Sequence, residues 1–223
     1  MSVDILTGLL LILLPVAFNL FFFLLQKQFQ YPDILRQPTS YILEQFQAGG
    51  RKLVGLWYGF MLTGILFLPI AILLPQLLLP LGPVYITLSL TCGVLAGMVQ
   101  VFGLIRWPFI VPYLASAYAA ADSQSRREAV EVVFQAFHRY AGVAIGEHLG
   151  YLFTSLWSLL ICYGIVESAL LPDWLGWIGL VPAVGIFSGL FEESGLGWAG
   201  AVNAISYILW SIWLIAIGIL LIV

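Results

Sequence analysis

All eight basic residues of this 223-residue chain fall in two stretches, Lys27 to Lys52 and Arg106 to Arg139. Long runs almost free of charge lie before, between and after them. That distribution decides what the chain can fold into. Charged residues make up 9% of the sequence and hydrophobic residues 62%, against roughly 25% charged in ordinary soluble domains. A chain so poor in charge cannot cover a surface facing water. It reads as an all-α integral membrane protein, since in lipid the backbone must satisfy its own hydrogen bonds. The net charge of −3 says little as a sum, and no basic tract of the kind that binds nucleic acid is present.

The apolar runs define about six candidate transmembrane helices: residues 5–25, 53–74, 84–105, 146–170, 175–191 and 199–223. Runs near 20 residues span ~30 Å of hydrocarbon at 1.5 Å per residue. The first lacks a basic n-region and a cleavage site and is expected to be an uncleaved span. Pro15 and Pro69 mark expected kinks. Gly55 with Gly59, and Gly93 with Gly97, are small-xxx-small pairs that permit close helix contact. The fifth candidate is short and rich in glycine, so it either spans or re-enters. Cys92 and Cys162 lie inside apolar runs and read as small buried thiols rather than a disulfide.

Two polar segments, 26–52 and 106–145, separate these runs. In the first, Tyr31-Pro32-Asp33 and Gln37-Pro38-Thr39-Ser40 read as turns, followed by a short surface helix that Gly49-Gly50 should end. In the second, the prolines of WPFIVP suggest an interfacial stretch with Trp107 at headgroup level. Ser125 with Glu128 matches a capping box, so an amphipathic helix is expected to start there. Val130, Val133, Phe134, Phe137 and Ala141 would form its apolar face. Three spans lie between the N-terminus and the central segment, which puts both basic segments on one side. The positive-inside rule makes that side cytoplasmic, in a multi-pass cell-membrane protein with its N-terminus outside. The Glu192-Glu193 turn has no basic residue, so the side of the C-terminus depends on whether the fifth candidate crosses. Three spans on each side of the central segment also permit an inverted repeat.

In the fourth span His148, Tyr151, Ser155, Ser158 and Cys162 recur at helical spacing, with Glu147 at its entrance and Thr154 alongside. In the last span Asn203, Ser206, Trp210 and Trp213 share a face. Such faces must turn away from lipid. Packed together they form either a seam between helices or a polar cleft open to the cytoplasm, built from Glu147, His148, Tyr151, Ser155, Ser158, Asn203 and Ser206. Arg106, Arg126, Arg127 and Arg139 are candidate contacts for anionic headgroups, at ~1 kcal/mol each near an anionic surface. The two histidines are ten residues apart and lack metal-ligand spacing, so neither metal, haem nor another cofactor is expected.

The segments YLASAYAAADSQSRREAVEVVFQAFHRYAG, GEHLGYLFTSLWSLL, LPDWLGWIGLVPA and NAISYILWSIWLIAIGILL resemble a bacterial multi-pass membrane family known as domain of unknown function 4386. The resemblance implies a bundle of about six helices and carries no established activity or catalytic residue. Three functions fit the residues. One is binding or moving a lipid or small amphiphile through the cleft. Another is an accessory or regulatory subunit, with a membrane-protein partner or a second copy of itself. The third is an enzyme using Glu147 and His148, although no nucleophile triad, phosphate loop or nucleotide fingerprint accompanies them.

Overall fold

The computed structural model describes residues 2–78 and 81–223. Six helices are long and apolar enough to cross a bilayer, and no strand occurs among the described residues. The chain is a multi-pass membrane protein. Its elements are α1 (Val3–Phe29), a 3-10 turn (Asp33–Arg36), α2 (Thr39–Leu77), α3 (Gly82–Leu104), α4 (Arg106–Ala119) and α5 (Gln124–Phe137). A π-helical stretch (His138–Leu149) then leads into α6 (Gly150–Ser168). α7 (Asp173–Ser188), a second 3-10 turn (Gly189–Ser194) and α8 (Ala199–Ile222) complete the chain.

The six crossing helices form a closed ring. α1 packs on α2, α2 on α3, α3 on α6, α6 on α7, α7 on α8, and α8 returns to α1. Glycines let backbones meet at several of these contacts. A Cβ on Gly8 would lie 2.6 Å from the Gly218 carbonyl oxygen, and one on Gly218 equally close to the Gly8 oxygen. Gly64 and Gly97 stand in the same relation between α2 and α3. A Cβ on Gly103 would lie 2.5 Å from the Cα of Gly146. Without a hydrophobic drive between helices in lipid, this close approach is a main source of attraction. Of the expected small-residue pairs, Gly93 and Gly97 both face neighbouring helices. Gly59 meets Phe21, while Gly55 meets nothing within 4 Å.

Large side chains from alternate ring members fill the centre. Phe67 of α2 lies 4.8 Å from Trp157 of α6 and 5.9 Å from Trp210 of α8, centroid to centroid. Around and beyond this plug, Leu11, Leu74, Ile161, Leu214 and Ile217 make an apolar core. A second apolar cluster lies at the basic end, where Trp57 and Trp107 stack at 4.3 Å with Phe29, Phe46 and Phe134 around them.

The polar segments are more helical than their prolines suggest. Pro108 sits in the first turn of α4, where its missing N–H costs no bond. α4 therefore continues almost directly from α3, and Trp107 is fully buried in the protein rather than open to headgroups. The cap of α5 is Ser123, whose side chain accepts from the Arg126 N–H at 3.4 Å, and not Ser125. Ser123 is extended and starts the helix two residues earlier. No glycine hinge separates α5 from α6, because the π-helical stretch joins them into one rod from Gln124 to Ser168. Of the expected apolar face on α5, Phe134 is buried, while Val133 and Phe137 stay exposed. Gly50, at φ 55° and ψ −150°, does end the surface helix, kinking α2 between its surface and crossing parts. The fifth candidate is a full helix, prolonged by the 3-10 turn to 22 residues. Its turn meets the basic segment, where Arg139 lies 4.0 Å from Glu193.

Replacing Gly103 with Ala should lower the thermal unfolding midpoint in detergent, by an overpacking cost of about 1–3 kcal/mol. Gly55→Ala should leave it unchanged or raise it by up to about 1 kcal/mol through helix propensity.

Candidate functional site

Three segments converge at the basic end of α3. The Gly103–Gly146 contact draws the π-helical stretch against α3. Arg106, three residues after Gly103, is thereby covered and is 8% exposed. Its guanidinium lies over Gly142, where any side chain would collide with it, and its Nη1 donates to the Gly103 carbonyl. Glu147, half-buried, acts on Arg106 from beyond ion-pair distance. Tyr31, from the turn after α1, lies in the field of both. Burial foremost, reinforced by Glu147 and opposed by Arg106, holds its hydroxyl well above the usual phenol range, so Tyr31 stays neutral. His138 stacks on Phe134 at 5.9 Å, and its Nδ1 is buried with no hydrogen-bond partner. π-helical turns are rare and concentrate at functional positions. Here one carries Glu147 and creates the Gly142 seat for Arg106.

The polar stripe of α6 divides along its length. Ser155 Oγ donates to the Ala183 carbonyl of α7 at 2.8 Å, and Asn203 Nδ2 of α8 donates to the Ile186 carbonyl at 3.0 Å. Trp213 Nε1 donates to the Leu175 carbonyl at 2.8 Å. Together they clamp a helix weakened by Pro182 and its glycines. Gly185 of α7 admits Ser206 against the backbone, and Gly189, which opens the following 3-10 turn, admits Asn203. Ser158 lies at the plug, donating to the Thr154 carbonyl and accepting from Trp210 Nε1 at 2.8 Å. Tyr151 is half-buried, with its ring 6.1 Å from Tyr207 of α8. His148 is exposed. Side chains of α6 and α8 thus meet, while the backbone of α8 packs on α7 and α1. Of the residues considered for a cleft, Ser155, Asn203 and Ser206 come together on α7, Glu147 lies near Arg106, and Tyr151, one turn further along, meets Tyr207.

The arginines considered for headgroups also separate. Arg106 is internal, Arg139 faces Glu193, and exposed Arg126 pairs with Asp122 at 3.2 Å. Arg127 is exposed over the Tyr118 ring, 5.5 Å from its centroid. It borders a groove of about 330 Å³ between the surface part of α2, the end of α4 and the start of α5. Glu44, Gln47, Ala48, Ala115, Tyr118 and Ala119 line the rest. The sequence carried a signal for this groove. Glu44, Gln47 and Ala48 on one helix, and Ala115, Tyr118 and Ala119 on another, repeat the same i, i+3, i+4 spacing.

The profile of the family described as Domain of unknown function (DUF4386) matches residues 6–218, and the chain belongs to that family. No curated protein and no solved structure matches the chain significantly.

Arg106 and Glu147 should be energetically coupled. In a double-mutant cycle with Arg106→Gln and Glu147→Gln, each single change should destabilise the protein. The double should be milder than their sum by about 0.5–3 kcal/mol, as read by unfolding in detergent.

Proposed function

We propose that this protein binds a lipid or small amphiphile at its basic end, with the polar headgroup in the groove bordered by Arg127. The groove itself carries this reading. It has the volume of a small-molecule site. Its floor is apolar, from Ala115 and Tyr118, and its rim is polar, from Arg127, Gln47 and Glu44. An amphiphile needs that division, since its chain follows apolar surface while its headgroup takes hydrogen bonds and charge. Exposed Val133 and Phe137 lie further along α5 and offer apolar surface to the same bilayer face. The positive-inside rule places this end in the cytoplasm. The ligand would then come from the inner leaflet of the cell membrane, where anionic lipids attract basic side chains. The α6 serines support binding less directly, because Ser155 holds α7 in place and Ser158 meets Trp210 of α8.

The test is native mass spectrometry of the full chain extracted gently from membranes. Wild type should retain lipid. Arg127→Gln should weaken retention about fivefold, corresponding to ~1 kcal/mol for one basic residue near an anionic surface. Ala119→Trp, which fills the groove, should abolish it. Equal retention by both variants would refute the site.

A further inference from the structure

The groove bordered by Arg127 has walls of opposite charge. Glu44 stands on the α2 wall and Arg127 on the α5 wall, over an apolar floor, in a groove of about 330 Å³. We infer that this groove selects a zwitterionic headgroup, a phosphodiester joined to a primary ammonium, as carried by phosphatidylethanolamine. The inference rests on the amphiphile reading and narrows it.

Neither charge is paired inside the protein. The ion pairs among the described residues join Arg36 to Asp33, Arg126 to Asp122 and Arg139 to Glu193. The Arg127 guanidinium lies over the Tyr118 ring, 5.5 Å from its centroid, a contact that places the charge at the groove but supplies no counter-ion. Gln47 Oε1 accepts from the Ser116 hydroxyl at 3.3 Å, so its two amide N–H groups are left to donate. Arg127 and Gln47 therefore match a phosphate, which only accepts. Glu44 matches an ammonium, which only donates.

Charge balance argues against a purely anionic headgroup. Glu131 lies one turn beyond Arg127 on α5, so two carboxylates accompany one unpaired guanidinium here. An anionic headgroup would satisfy Arg127 and leave Glu44 facing like charge. A zwitterion answers both. A choline headgroup has no N–H for Glu44, and a quaternary ammonium calls for an aromatic cage. The groove offers one aromatic ring, already taken by Arg127. Attraction of the basic segments to an anionic leaflet is a separate effect.

Position favours a lipid over a soluble zwitterion. The α2 wall ends at Ala48, just before exposed Arg51 and Lys52. Beyond them, exposed Tyr58 pairs with exposed Phe109 of α4 at 6.4 Å. Basic residues followed by outward aromatic rings mark the boundary between water and lipid, so the groove lies at headgroup level.

The test is native mass spectrometry of the full chain in detergent, offered an equimolar mixture of phosphatidylethanolamine, phosphatidylcholine and phosphatidylglycerol with identical acyl chains. Wild type should retain the ethanolamine lipid in preference to the other two. Glu44→Gln should cut that preference about two- to fivefold, the range for one exposed ion pair. Arg127→Gln should weaken the ethanolamine and glycerol lipids alike, since both carry the phosphate. Glu167→Gln, at an exposed carboxylate at the far end of α6, should change nothing. Equal retention of the three lipids, a preference for the glycerol lipid, or an ethanolamine preference unchanged in Glu44→Gln would overturn this inference and leave the amphiphile reading standing. Retention of no lipid would refute both. Displacement of the bound lipid by equimolar free phosphoethanolamine would assign the groove to a soluble zwitterion and overturn the lipid assignment.

Discussion

Backbone-to-backbone contact at glycines is the interaction on which the rest of this structure depends. In lipid, apolar side chains gain little by leaving their surroundings for one another, so helices associate through close fit and interhelical hydrogen bonds. Gly8 against Gly218 joins the first crossing helix to the last. Gly64 against Gly97 joins the second and third, and Gly103 against Gly146 draws the rod of α5 and α6 to α3. The last contact has a chemical consequence as well. It brings the Gly142 backbone under the Arg106 guanidinium and keeps a permanent charge inside the protein. A helix otherwise poorly suited to its position, α7, is held by hydrogen bonds from Ser155, Asn203 and Trp213.

Polarity along the ring axis changes in layers. Charged groups, Arg106 and Glu147, stand at the basic end with neutral Tyr31. Tyr151, Tyr207 and Gln100 follow, then the aromatic plug, then a mostly apolar half rich in leucine and isoleucine. Each layer has the donors and acceptors that its depth requires, except at a few buried atoms. The indole N–H of Trp157 and the Thr154 hydroxyl have no hydrogen-bond partner, and both lie near the plug. Unsatisfied groups of this kind are costly in low dielectric. The gradient runs from charged groups at the basic end to apolar packing beyond the aromatic plug.

Much of the architecture is legible in the sequence, because apolar run length and the placement of eight basic residues follow directly from bilayer thickness and charge. Gly50 reads correctly as a helix end, since its left-handed φ suits glycine. Partners are a different matter. Spacing places Ser155 and Ser158 on one face of α6, but spacing cannot say that Ser155 bonds α7 while Ser158 meets Trp210. Trp107 looks interfacial beside two prolines, yet Trp57, 50 positions earlier, stacks on it. Ser123 and Ser125 offer similar capping chemistry, and only the extended backbone at Ser123 decides between them. Tyr31 has no local signal at all. Its place near Arg106 and Glu147 comes from how α1 ends against two elements more than 70 residues away.

Closure of the ring is the central claim, since every interior layer exists only if α8 returns to α1. Asn19 of α1 and Ser211 of α8 meet side chain to side chain, with Nδ2 3.0 Å from Oγ. Asn19→Cys with Ser211→Cys, in a chain whose Cys92 and Cys162 are replaced by Ala, should form an intramolecular disulfide in native membranes under mild oxidation. Each single cysteine should form none. Absence of that cross-link, with the double variant still folded and membrane-inserted, would contradict the closed ring.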